Sequence, residues 1–301
     1  MSDYTLNCRG RLVSLSEPCV MGILNVTPDS FFAGSRKQTE SEIAERANQI
    51  VAEGGSMIDV GAFSTRPGAS QVSSEEEMSR MRMALPIVRR EQPDAIISVD
   101  TFRPEVARMV VEEFGADIIN DVSEGDVRGA YGATTCQDSH QGLVAEEGKV
   151  PAIFHEVARL GVPYILMSTH STLRESLMAF SREVQQLRNL GQKDIILDPG
   201  FGFGKTVAQN YQLMNELEKL NVMGLPLLVG VSRKSMIWKL LDNSADEALN
   251  GTTVLNTVAL LKGASILRVH DVKEAVEVVK IVSCLKPGNL KLETYICLNS
   301  E

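Results

Sequence analysis

The chain has 301 residues, 44% hydrophobic and 23% charged, with a formal net charge of −9; this is ample for a large core, and the acidic balance argues against a general nucleic-acid binder, whose affinity comes from Lys and Arg on phosphates. No run approaches the roughly 18 uninterrupted apolar residues of a membrane span, and the first residues lack the basic-then-apolar order of a signal peptide. Five cysteines, Cys8, Cys19, Cys136, Cys284 and Cys297, are scattered without a Cys-x-x-Cys pair, so the expectation is a reduced, cytoplasmic protein with neither a membrane nor a nucleic-acid partner.

Residues 1–19 hold two short alternating runs about Gly10 and predict an N-terminal β-hairpin, a plug under whatever follows. From Val20 the rhythm is strand, loop, helix. Val20–Leu24 reads as a buried strand. Glu40–Gly54 places Ile43, Ala47, Ile50 and Val51 on one helical face. Met57–Val60 is a second strand. Ser74–Arg90 is a helix opened by Ser73 and the acidic run Glu75, Glu76, Glu77, which suits a helix amino end. Ala95–Val99 is a third strand, Pro104–Phe114 a helix with proline in its first turn, and Asp117–Ile119 a fourth strand. Residues 123–150, poor in apolar residues, read as a long loop or insertion. The rhythm resumes with a helix over Ala152–Leu160, a strand over Tyr164–Met167, a helix over Leu173–Leu190 and a strand over Ile195–Leu197. A helix over Asn210–Leu220, a strand over Leu227–Val231, a helix over Ala245–Lys262, a strand over Ile266–Val269 and a helix over Val272–Cys284 complete the series, and 285–301 form a tail.

Eight β/α units predict one domain over 1–301, a (β/α)8 TIM barrel with an N-terminal hairpin, in preference to an open doubly wound sheet. In such a barrel the chemistry sits where the strands end. Asp100, Asn120 and Asp198 each follow a pure apolar run. Two carboxylates and an amide on the same rim make an acceptor-rich floor for a ligand with several N–H donors, although each acid alone could equally cap a helix or hold a salt bridge. Cations oppose them: Lys234 after the seventh strand, and Arg268 and His270 at i, i+2 after the eighth, so that both side chains share one side. Loops seven and eight are the habitual phosphate site of this fold. Two further loops, 25–31 and 63–69, offer polar groups including Arg66. The sequence GFGFGKT at 200–206 imitates a nucleotide P-loop, but its spacing is wrong and Pro199 stands where the first glycine belongs.

Taken in order, MGILNVTPDS at 21–30, IDVG at 58–61, STRPGA at 64–69, SVDT at 98–101, IINDV at 118–122, ILDPGFGFGKT at 196–206, LVGVSRKS at 228–235 and LRVHDV at 267–272 resemble the dihydropteroate synthase family of folate biosynthesis. The resemblance implies a transferase that joins 6-hydroxymethyl-7,8-dihydropterin pyrophosphate to p-aminobenzoate and releases pyrophosphate. It implies that Asp100, Asp198, Lys234, Arg268 and His270 carry the catalysis, and that Asp100, Asn120, Met167, Asp198, Phe203, Gly230 and Lys234 hold the pterin. Asn25, Thr65, Arg66, Arg268 and His270 would bind the pyrophosphate, with Asn25 also a ligand to Mg²⁺. Phe31, Thr65, Arg66, Pro67, Phe203 and Ser235 would shape the p-aminobenzoate site, with Asp29 beside Phe31 on the first loop. A homodimer through barrel helices is implied as well. The chain departs from the family after strand five, where Met167-Ser168-Thr169-His170-Ser171 replaces Met-His-Met and a glycine turn, and over 123–150, which replaces a short Asp-Val-Ser-Gly-Gly connection. The alternatives are a divergent pterin-binding paralogue of changed activity, and a pterin-dependent methyltransferase. The second has no evident use for the Ser-Arg-Lys-Ser and Arg-Val-His anion set.

Overall fold

A computed structural model describes residues 4–26, 36–62, 72–125 and 150–285, with the backbone alone at 36–38. Most of the expected 123–150 loop, nearly all of the expected 285–301 tail, and the loop residues Asp29, Phe31, Thr65, Arg66 and Pro67 lie outside the described residues.

The chain opens with β1 (Thr5–Cys8) and β2 (Arg11–Ser14), paired antiparallel with Thr5 opposite Ser14. Arg9 and Gly10 turn between them at φ 53° and 89°, the left-handed pair that matches the twist of a two-residue hairpin. Leu6 and Cys8 alternate to the buried side and, with Leu15, pack on Met21, Met57, Ile96, Ile118, Ile165, Ile196, Leu228 and Ile266. Those eight residues come from eight different barrel strands, so the hairpin is the expected plug, closing the amino-terminal end.

The barrel strands are β3 (Cys19–Asn25), β4 (Met57–Gly61), β5 (Ile96–Asp100), β6 (Ile118–Asp121), β7 (Tyr164–Met167), β8 (Ile195–Asp198), β9 (Leu228–Val229) and β10 (Ile266–Val269). They hydrogen-bond in the order β8-β7-β6-β5-β4-β3-β10-β9, every pair parallel. The ends meet through a parallel bridge between Leu197 and Leu227 and the bond from Leu197 N–H to Pro226 O, 2.9 Å. The sheet closes, which rules out the open arrangement.

Around it stand α1 (Arg36–Ala52), α2 (Ser74–Glu91), α3 (Pro104–Glu112), α4 (Ala152–Leu160), α5 (Leu173–Asn189), α6 (Val207–Asn215), α7 (Ser235–Trp238), α8 (Leu249–Leu261) and α9 (Val272–Cys284). Their starts follow local chemistry. Ser73 Oγ accepts from Glu76 N–H at the start of α2, while Thr172 with Glu175 and Thr206 with Gln209 form capping boxes at α5 and α6. Two expected helices are corrected, and one short helix is added. The helix expected over Asn210–Leu220 begins earlier, at the Thr206 cap, and breaks into α6 and a 3-10 turn over Leu217–Met223. Residues 245–248 do not join α8, because Arg233 draws the carbonyls of Ala245 and Asp246 to its guanidinium at 3.2 and 2.8 Å. The short α7 after Lys234 escapes periodicity altogether, being a single turn.

Candidate active site

Along a parallel barrel strand every second residue faces inward, and the register brings the inward residues of β4, β5, β6 and β10 level at the carboxyl end. Asp59 pairs with Ser98, and Asp100 with Gly61 on one side and Asn120 on the other. Asp59 is fully buried and is the hub. Its Oδ1 accepts from Ser98 Oγ at 2.6 Å, and its Oδ2 accepts from Asn120 Nδ2 at 3.1 Å and Arg268 Nε at 2.7 Å. Arg268 Nη2 reaches on to Asp100 Oδ2 at 3.1 Å. Asp100 Oδ1 and Asn120 Oδ1 are buried and have no hydrogen-bond partner among the described residues. Burial pushes the Asp100 carboxyl well above the usual carboxylate range, and the Arg268 charge only partly restores it.

Facing this floor, Asp198 Oδ1 accepts from Gly200 N–H at 2.8 Å. Its pKa is raised by burial, with Lys234 the chief opposing charge. Lys234 donates to the carbonyl of Phe201 and its ammonium stands 4.7 Å from the centre of the Phe203 ring, a cation–π contact. Burial lowers Lys234 to about 8 against the pull of Asp198. Met167 is fully buried at the end of β7, and Gly230 lies beside Arg268, whose Cβ would be 3.7 Å from a Cβ placed there. Ser235 opens α7 directly after Lys234.

At the rim, His270 donates its N–H to Ser232 Oγ at 3.1 Å, and its Nδ1 lies 3.1 Å from the same hydroxyl. Arg46 of α1 binds the carbonyls of Ile23 and His270 at 3.1 and 2.6 Å, tying the end of β10 to the strand that ends in Asn25. Asn25 itself is exposed at that end of β3.

The structure thus brings Asn25, Asp100, Asn120, Met167, Asp198, Phe203, Gly230, Lys234, Ser235, Arg268 and His270 to one mouth. Phe31, Thr65, Arg66 and Pro67 fall outside the described residues. Two findings go beyond the sequence reading. Asp59 is not among the expected site residues, although it begins the polar end of its strand; an acid within the apolar run Met57-Ile58-Asp59-Val60 is the signal that points to it, since such a charge must be paired. Arg268, expected to face an anion, also neutralises two carboxylates. Two cations of the motifs serve the scaffold instead. Arg233 forms a bidentate pair with Asp271 at 2.9 and 2.8 Å. Lys205, the lysine of the false P-loop, donates to the carbonyls of Gly200, Phe203 and Ser168 at 2.9, 3.3 and 3.4 Å.

An acceptor floor and an opposing cation set at the carboxyl end of a closed barrel define a class of heterocycle-binding barrel. Residues 21–270 match the model of the pterin binding enzyme family, and the chain belongs to that family. It is 38% identical over 288 residues to the dihydropteroate synthase of Escherichia coli strain K12, covering 92% of this chain and 95% of the relative. A Xanthomonas albilineans dihydropteroate synthase with 4-aminobenzoic acid superposes with a TM-score of 0.79 at 33% identity, covering 95% of this chain and 99% of the other. A Yersinia pestis dihydropteroate synthase in a sulfonamide drug complex does so with a TM-score of 0.77 at 34% identity, covering 94% and 99%.

Proposed function

We propose that the chain condenses 6-hydroxymethyl-7,8-dihydropterin pyrophosphate with p-aminobenzoate and releases pyrophosphate, the dihydropteroate synthase reaction. The observation that carries this reading is the buried floor, where Asp100 Oδ1 and Asn120 Oδ1 lack partners among the described residues. A buried acceptor left so costs about 1–3 kcal/mol, recovered when a ligand brings its own N–H groups. The amino and ring N–H groups along one edge of a pterin are such donors. The E. coli relative and the two structural neighbours, one holding 4-aminobenzoic acid and one a sulfonamide, support the same assignment.

The pterin lies on Asp100, Asn120 and Asp198, bounded by Met167, Gly230 and Phe203, with Lys234 donating to it from the facing wall. Breaking the C–O bond to pyrophosphate leaves positive charge on a methylene conjugated with the ring. The fixed carboxylates of Asp100 and Asp198 stabilise that charge as it develops, with no reorganisation cost at the moment of reaction. Arg268 and His270 face the departing anion at the rim. The amine lone pair then forms the new C–N bond and its surplus proton leaves to solvent. Phe203 and Ser235 shape the amine site, while Phe31, Thr65, Arg66 and Pro67, expected there and at the pyrophosphate, lie outside the described residues.

Mg²⁺ belongs to the proposal. Among the described residues no group of three or more His, Cys, Asp or Glu side chains could hold a metal. Mg²⁺ would share the oxygens of the pyrophosphate, the usual habit of this ion. Asn25, an exposed amide at the mouth, fits as the protein ligand. An ion held there would supply charge neutralisation at the leaving group. The partner is a second copy of the chain, through the α8 face where Val254 and Leu261 are 54% and 62% exposed. Cys8, Cys19 and Cys284 are free, in keeping with a reducing cytoplasm.

The test is pyrophosphate release from the two substrates with Mg²⁺, and its inhibition by a sulfonamide. Asp100→Asn and Lys234→Ala are each expected to cut turnover at least about a hundredfold, roughly 2.7 kcal/mol of barrier. A near wild-type rate in either variant removes the assignment.

A further inference from the structure

The loops after β6 and β7 meet at one carboxylate that the mechanism does not use. Glu124 stands three residues beyond β6 with φ 61°, a left-handed backbone that glycine adopts freely and glutamate keeps only when its surroundings hold it. Both flanks are held. Asp121 accepts from Ser123 N–H, Ser123 Oγ and Gly125 N–H at 2.7, 2.6 and 3.0 Å, and from the buried Tyr164 hydroxyl. The side chain is held too. Glu124 Oε2 accepts from the Thr169 hydroxyl at 2.6 Å and the Thr169 N–H at 3.3 Å, and Oε1 lies 3.6 Å from His170 Nε2.

From Thr169 the connection continues inward. The preceding carbonyl, of Ser168, accepts from Lys205 Nζ at 3.4 Å, and the same ammonium binds Gly200 O and Phe203 O. The two loops are stacked so closely there that a Cβ on Gly200 would sit 2.1 Å from Ser168 O. Phe201 O and the Phe203 ring, on that same turn, are what Lys234 rests on, and its Gly200 N–H caps Asp198. An unbroken series of contacts therefore runs from Glu124 through Thr169, Ser168 and Lys205 to the wall of the pterin pocket.

We propose that Glu124, acting through Thr169 and Lys205, is a positioning residue for pterin binding: its carboxylate sets the loop after β7 against the loop after β8 and so fixes Met167, Phe203 and Lys234. It touches neither substrate. The inference rests on the pterin site assigned above, and the two can fail separately. Steady-state kinetics with each substrate varied in turn, thermal melts, and fluorescence titration with 6-hydroxymethylpterin alone are compared for wild type, Glu124→Ala, Glu124→Gly, Glu124→Gln and Lys205→Met. Glu124→Ala and Lys205→Met raise the KM for the pterin substrate about tenfold and leave that for p-aminobenzoate within about twofold, the consequence of a misplaced wall. Glu124→Gln, whose amide oxygen still accepts from Thr169, restores most of the affinity. Glu124→Gly behaves like Glu124→Ala although it relaxes the backbone. The proposal is overturned by a Glu124→Gly variant equal to wild type, or by variants whose melting temperature falls while both KM values stay unchanged. Absence of turnover in the wild type removes the assigned reaction instead, and the titration with pterin alone still decides the role of Glu124.

Discussion

Asp100 and Lys234 carry opposite charges in one cavity, and burial disfavours the charged form of both. It raises the acid and lowers the base, the latter to about 8. In the proposed reaction the carboxylate of Asp100 is the form that accepts from the pterin. Burial pushes this group up to about 8, so activity rises towards that pH and the maximum is narrow. The ammonium of Lys234 is the form that donates, so activity falls again as pH passes about 8. We expect a bell-shaped profile of kcat/KM for the pterin substrate, which reports groups of the free enzyme. In Lys234→Arg, which stays charged, the residual activity loses its alkaline limb; an alkaline limb that persists there at the same pH refutes the assignment to Lys234. Asp100, Asn120 and Asp198 were legible because a polar residue that ends an apolar strand has few places to point. Asp59 was not, since its meaning lies in Arg268, 209 positions away in the chain.

At the scale of elements, alternation and capping chemistry carry most of the pattern. The hairpin was readable from two short runs about Gly10, and its role as a plug follows from Leu6, Cys8 and Leu15 facing the first inward residues of the strands. Leu6 is 2% exposed, so Leu6→Ala is expected to destabilise by about 3 kcal/mol, in urea unfolding, through lost burial and an unfilled cavity. The KM values should not move, because the plug is at the opposite end of the barrel from the mouth. A loss below about 0.5 kcal/mol would show that the hairpin is peripheral. What escaped sequence reading was where helices stop. The beginning of α8 is set by Arg233 taking the carbonyls of Ala245 and Asp246, a contact that periodicity cannot anticipate.

At the scale of the whole molecule, α8 is apolar on the face that packs inward and on part of the face that does not. Val254 and Leu261 are exposed, as are Leu240 and Leu241, which follow α7; apolar side chains of this kind are what a second copy would cover. We expect wild type to sediment as a dimer and the double variant Val254→Glu, Leu261→Glu to sediment as a monomer at the same concentration. An unchanged sedimentation coefficient places the partner surface elsewhere.

The barrel, the rim acceptors and the cations after strands seven and eight could be read from the sequence by itself, because each depends on local rules: strand period, helix capping and the position of polar groups at strand ends. The tertiary structure decided which of those groups meet. Closure through Leu197 and Leu227 brings residues far apart in the chain within hydrogen-bond distance. There, pairing and burial, rather than residue type, divide the cations between the two duties: Arg268 and Lys234 line the cavity, while Arg233 and Lys205 hold the loops that build it.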